Sequence, residues 1–245
     1  MKTFQLPEGE TIYYHQPATL TRSEPIVFQH GLGREAETIC QQWTPIVEEL
    51  GAVGLFPLLT EEQYPKYQFV ELDNTATRTL LPRLLAVAAE RFGTSATTCA
   101  LGGFSGGGQF THRSLLFDSG VTITKAMVLS PGTYCFPNTL DAYPFGMTTE
   151  DGAVVTDFDR LVAADILVYV GAEDHGSPEI GAEIFAHQGM DRVERARSWA
   201  NAVRAYAHGR GVTPHVVSGA IPVAAHNLGD CLANGLDRIL IDFMS

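Results

Sequence analysis

The sequence predicts an α/β protein in which a mostly parallel central sheet carries helices on both faces. Two observations lead there. Apolar runs with strand character alternate with helical patterns along nearly all of the 245 residues, and that alternation belongs to parallel strands joined by crossover helices. One strand, 97–104, also runs through a glycine-rich turn, GGFSGGG, straight into a helix. A chain of this length buries about three quarters of the surface that its unfolded form exposes, so its core needs neither a disulfide nor a structural metal. No linker, repeat or low-complexity stretch interrupts it, and one domain over 1–245 is expected.

The elements follow in order. Residues 3–6 and 11–14, separated by Pro-Glu-Gly-Glu, read as a hairpin. Residues 25–29 (PIVFQ) form a buried strand that enters the loop His30-Gly31-Leu32-Gly33-Arg34, and a helix follows over about 37–50. The next strand is 52–56. Asn74 caps a helix whose leucines and alanines recur at helical spacing through Ala89, and Gly93 stops it. Strand 97–104, helix 107–117 and strand 123–129 come next. After a stretch rich in Pro, Gly and Tyr, the pattern resumes with strand 166–170, helix 192–208, strand 214–217 and a last helix over about 228–243.

The stretch between 129 and 166 is too short for a helical cap domain and long enough for a lid loop, about 131–160. Its Tyr134, Phe136 and Tyr143, with Phe104 at the glycine-rich turn, are candidates to line a substrate pocket; packing the loop onto the sheet is the equal alternative. Residues 61–74, with Tyr64, Tyr67 and Phe69, are a second candidate wall. Arg192, Arg195, Arg197 and Arg204 on the 192–208 helix read as a solvated face.

Composition narrows the function classes. The chain is 45% hydrophobic and 18% charged, with 16 Lys and Arg against 28 Asp and Glu, a formal net charge of -12. Neutralising phosphates requires a basic surface, so a nucleic-acid partner is not expected, nor docking on anionic lipid. The start, MKTFQLPEGETIYY, has no apolar leader core, and no apolar run approaches the ~20 residues that cross a bilayer. A cytoplasmic protein, monomer or homodimer, is expected. Cys40, Cys99, Cys135 and Cys231 lie far apart with no CxxC pair, which suits buried thiols rather than a zinc site.

The loops at the carboxyl ends of parallel strands hold the chemistry in such a sheet. The most informative is Gly103-Phe104-Ser105-Gly106-Gly107, a GxSxG between strand and helix. This is a nucleophile elbow: the serine sits on a strained turn, and glycines two before and two after it leave room where side chains would collide. No Lys-Ser/Thr closes a Walker A motif, and GxGxxG does not fit the run.

A serine hydroxyl needs a base, and the base needs a group to fix its tautomer. Both are expected downstream, acid before His. Strand 166–170 ends in Gly-Ala-Glu-Asp, which makes Asp174 the candidate acid, with Glu173 and Asp157 as substitutes. His226, in the loop between the last strand and the last helix, is the candidate base. His175 adjoins the acid, His112 lies on the helix after Ser105, and His208 and His215 read as surface residues. The backbone N–H of Gly106 and that of Leu32 are the candidate oxyanion donors, with His30 bracing the Leu32 loop. The eight histidines include no HxH or HExxH pair, so neither a metal nor any other cofactor is expected.

FQHGLGR, GGFSGGGQF, VGAED and VAAHN, in this order and spacing, resemble the α/β-hydrolase superfamily across nearly the whole chain. QFTHR, SPGTYCFPN and HQGMDRVERARSWA resemble bacterial serine esterases similar to polyhydroxybutyrate depolymerases and feruloyl esterases. The resemblance implies cleavage of a small-molecule ester through an acyl-enzyme without cofactor; acyl transfer, perhydrolysis or peptide cleavage on the same triad, or non-catalytic binding of a small molecule in the pocket, are the alternatives. It implies Ser105 as nucleophile, Asp174 as acid, His226 as base, and Leu32 with Gly106 as oxyanion donors.

Overall fold

A computed structural model describes residues 1–176 and 187–245. Its strands are β1 (Lys2–Gln5), β2 (Thr11–His15), β3 (Ile26–Gln29), β4 (Gly54–Leu58), β5 (Thr98–Phe104), β6 (Thr122–Leu129), β7 (Asp165–Gly171) and β8 (Val216–Ile221). They form one sheet in the order β1-β2-β4-β3-β5-β6-β7-β8. β2 pairs antiparallel with both β1 and β4, and the strands from β4 to β8 run parallel.

The helices are α1 (Ala36–Leu50), α2 (Thr75–Phe92), α3 (Gly106–Ser114), α4 (Phe158–Val162), α5 (Arg192–Gly209), α6 (Leu228–Cys231) and α7 (Asp237–Met244). Successive strand residues point to opposite faces, and the core divides accordingly. Val27, Ala126, Val128, Ile166 and Val168 face α2, α3 and α5. Ile26, Phe28, Met127, Leu129 and Leu167 face α1 and α7 through Trp43 and Leu240. A sheet apolar on both faces needs a layer on each, which is why its strands read as continuous apolar runs. The four cysteines are buried and unbonded, and burial pushes their thiols up. No helix among the described residues is long and apolar enough to cross a membrane.

Several elements differ from expectation for identifiable reasons. β4 runs to Leu58 through Pro57; pairing with β3 ends at Leu55, which leaves one side of the strand open where proline is tolerated. β8 lies two residues later and is longer, because Ser218-Gly219-Ala220 carries no apolar signal on this largely exposed edge. α4 was hidden in the irregular stretch; its cap is Asp157, one of the substitute acids, which accepts from the N–H groups of Asp159 and Arg160. The last helix is broken at Gly235, where φ is 103°.

The arginines of α5 do not form one solvated face. Arg195 is fully buried and Arg192 is turned inward against Asp174.

Candidate active site

Ser105 leaves β5 and enters α3 with φ 58° and ψ -117°, a conformation that side chains rarely adopt and that projects the hydroxyl from the turn. Its N–H donates to Leu129 O at 2.8 Å, which ties the elbow to β6. The flanking glycines are packed against backbone. A Cβ on Gly103 would lie 2.3 Å from the Gly107 carbonyl carbon, and one on Gly107 would lie 2.0 Å from Gln29 O.

Three loops then converge. His226, from the loop after β8, places Nε2 2.9 Å from Ser105 Oγ and Nδ1 2.6 Å from Asp174 Oδ2. Asp174, from the loop after β7, is 2% exposed. A carboxylate only accepts hydrogen bonds, so Nδ1 carries the imidazole proton and Nε2 is left to accept from the serine hydroxyl. The ring of Phe104 lies 5.0 Å from that of His226 and tilted by 36°, which fixes the imidazole plane from one side.

The loop after β3 supplies the opposing edge. His30 is fully buried; its Nε2 accepts from Leu59 N–H at 3.0 Å, so its Nδ1–H donates to Gly31 O at 2.7 Å. Burial holds its imidazole down at about 4, which keeps it neutral for both roles. In a trans peptide the carbonyl and the next N–H point opposite ways, so pinning Gly31 O turns Leu32 N–H away from His30. A Cβ on Gly106 would meet Leu32 Cδ2 at 3.2 Å and Tyr67 Oη at 3.1 Å, so the Leu32 loop lies directly over the start of α3. Gly106 N–H, in the first turn of a helix, has no intrahelical acceptor. Neither it nor Leu32 N–H has an acceptor among the described residues.

Solved structures carry the same architecture. Poly(aspartic acid) hydrolase-1 from Sphingomonas sp. KT-1 superposes with a TM-score of 0.82 at 21% identity over 97% of both chains. LpqC, a poly(3-hydroxybutyrate) depolymerase from Bordetella parapertussis, gives 0.77 at 23% identity over 95% of this chain and 84% of its own. An alpha-beta serine hydrolase homologue from Coxiella burnetii gives 0.62 at 14% identity, over 100% and 96%. The chain has the α/β-hydrolase fold. No protein-family model matches the sequence, and neither does any curated protein.

In this α/β-hydrolase fold a cleft of about 360 Å³ opens over Ser105. One wall is the loop 31–35 with Thr38, Ile39 and Gln42 of α1; the other is His226, Asn227, Leu228 and Gly229, with Phe104 at the base. Of the residues expected to line it, Phe104 does so and Tyr134, Phe136 and Tyr143 do not. Tyr134 is fully buried and stacks on Trp199 at 5.0 Å, and Phe136 is buried against Tyr134. Tyr143 packs on Phe117 and donates to Val70 O at 3.0 Å. Their loop is strapped to α3 by the fully buried Arg113, which donates to Pro144 O at 2.9 Å and to Thr133 Oγ1 at 3.3 Å. Aromatic content alone does not distinguish a pocket wall from a packed strap.

Of the second candidate wall, Tyr67 stands behind the site, donating to His30 O at 2.5 Å. Sequence reasoning missed the α1 wall, because Thr38 and Gln42 occupy ordinary solvent-facing helical positions. It also missed Arg192, whose Nη1 donates to Asp174 Oδ1 at 3.1 Å. No cluster of three or more potential metal ligands occurs among the described residues.

Proposed function

We propose that this chain is a serine hydrolase that cleaves small carboxylic esters through an acyl-enzyme, with Ser105 as nucleophile, His226 as base and Asp174 as the acid that orients it. The observation that carries the reading is the unbroken relay from Ser105 Oγ to His226 Nε2, at 2.9 Å, and from His226 Nδ1 to Asp174 Oδ2, at 2.6 Å. It is supported by the hydrolase and esterase character of the proteins sharing the fold.

In the reaction, His226 takes the hydroxyl proton as Ser105 Oγ attacks the ester carbonyl carbon. The carbonyl oxygen becomes an oxyanion that the N–H groups of Leu32 and Gly106 receive, with the N-terminus of α3 adding a favourable field. The tetrahedral intermediate collapses as His226 returns the proton to the departing alcohol. A water, activated by the same imidazole, then attacks the acyl-serine and releases the acid. Asp174 stays ionised throughout and stabilises the imidazolium.

The cleft disfavours an anionic substrate. The Arg34 guanidinium is engaged by Leu59 O and Glu61, and among the described residues Glu35 is the other charged group in the lining. Thr38, Gln42 and Asn227 offer neutral hydrogen-bonding groups beside the apolar Ile39, Leu228 and Phe104. A series of p-nitrophenyl esters of graded acyl length, run with the wild type and Ser105→Ala, tests the proposal. Turnover of the short members that vanishes in the variant is expected, and equal turnover by both proteins would refute it.

A further inference from the structure

The acid of the relay is held on both oxygens. Oδ2 of Asp174 accepts from His226, and Oδ1 accepts from Arg192 Nη1 at 3.1 Å, with the two side chains 1% and 15% exposed. One residue along each segment, His175 Nδ1 donates to Asp191 Oδ2 at 2.8 Å, a bond that raises His175 above the usual imidazole range. Residues 174–175 and 191–192 are therefore joined by two bridges between adjacent pairs. Asp191 also caps α5 by accepting from Glu194 N–H, so the helix that carries Arg192 starts at the bridge. Gly176 leaves the path open: a Cβ there would lie 2.4 Å from Arg192 Nη1.

We propose that Arg192 is a positioning residue of the active site, fixing the Asp174 carboxylate so that Oδ2 faces His226 and setting the charge that the imidazole works against. This rests on the triad reading above. A carboxylate held by a single donor can turn about its Cβ–Cγ bond, and a buried ionised carboxylate needs a compensating partner; the rigid guanidinium fork supplies direction as well as charge. A cation behind Asp174 opposes protonation of His226, so removing it favours the charged imidazole. Among the described residues, the other charged groups around this corner are Glu173 on the loop after β7, Arg195 on α5, the His175–Asp191 pair, Asp230 on α6, and Arg34 and Glu35 across the cleft.

The test compares Arg192→Met and Arg192→Lys with wild type, reading kcat, KM and the pH profile of kcat/KM on a p-nitrophenyl ester, with active sites counted by a fluorophosphonate. Arg192→Met should lower kcat by about 10-fold to 100-fold with KM within about twofold, and move the acid limb of the profile to higher pH. Arg192→Lys, which keeps the charge, should leave the limb in place and recover part of kcat. Should the Met variant fail to fold, Arg192→Gln removes the charge while keeping an N–H donor and carries the same expected limb shift. An unchanged kcat and limb in Arg192→Met would overturn the proposal, as would a lower kcat with an unmoved limb and no recovery by Lys. Wild-type chain that neither turns over ester nor labels at Ser105 would overturn the triad reading itself, a distinct result.

Discussion

Gly107 lies where α3 crosses the end of β3, and replacing it by alanine tests whether the elbow depends on that contact. The added Cβ would stand 2.0 Å from Gln29 O and 2.7 Å from His30 O, against the 3.4 Å at which ordinary contact begins. Both obstacles are backbone carbonyls of the strand and loop that face Ser105 across the cleft, so no side chain can rotate away. Relief requires α3 to retreat by roughly 1.4 Å, the shortfall from ordinary contact. Overpacking of this kind costs about 1–3 kcal/mol, and the rigid obstacles place Gly107→Ala near 3. At about 2–4 °C per kcal/mol for a chain of this size, Tm should fall by roughly 6–12 °C. Because Ser105 and Gly106 move with the helix, turnover should fall by about 100-fold or more in protein that is still folded at the assay temperature. Gly209, the last residue of α5, has open space around its Cβ, so Gly209→Ala is the control; a gain of about 0.5 kcal/mol would leave its Tm equal to wild type or higher by about 1–2 °C. Thermal melts and ester turnover of the two variants decide it. A Gly107→Ala protein with wild-type Tm and wild-type turnover would refute the packing argument.

Within the triad, His226→Ala should lose nearly as much turnover as Ser105→Ala, while Asp174→Asn, which leaves the geometry but disturbs the tautomer, should lose about 10⁴-fold; steady-state assays rank the three, and equal losses in all of them would count against the orienting role of Asp174. Burial lowers His30 from 6.5 to about 4, so the unfolded chain binds this proton more readily than the folded one. The stability it contributes is complete above about pH 6.5 and declines as pH falls toward 4. Tm measured from pH 7.5 to 4.5 should therefore drop more steeply in wild type than in His30→Asn, and parallel curves would contradict this. Dialysis against EDTA should leave ester hydrolysis intact, since each reaction step uses a group of the chain; activity lost in chelator and restored by zinc would point to a metal-activated water instead.

The sheet was legible because burial on both faces leaves unbroken apolar runs such as PIVFQ and ITKAMVL, and the elbow because its glycines answer a steric demand that no other residue meets. Ser105, Asp174 and His226, which the fold brings within hydrogen-bond reach, were legible as candidates because each was placed in a loop after a strand, and parallel strand ends share one edge of the sheet. β8 was misplaced because an exposed edge strand needs no apolar residues. The role of Tyr134, Phe136 and Tyr143 was open because aromatic side chains suit a core and a pocket equally, and here Arg113 and Trp199 draw them into the core. Arg192 was unreadable because its meaning depends on the loop after β7 coming to rest against the first turn of α5, a meeting that no local pattern encodes.

The most direct test of the central claim is the site of covalent labelling by a serine-directed fluorophosphonate, mapped by peptide mass spectrometry alongside the loss of ester turnover. One adduct per chain on Ser105, formed in step with inactivation, absent in Ser105→Ala and slowed in His226→Ala, is the expected result. Full inactivation with the adduct on another residue, or ester turnover that persists with Ser105 fully labelled, would contradict it.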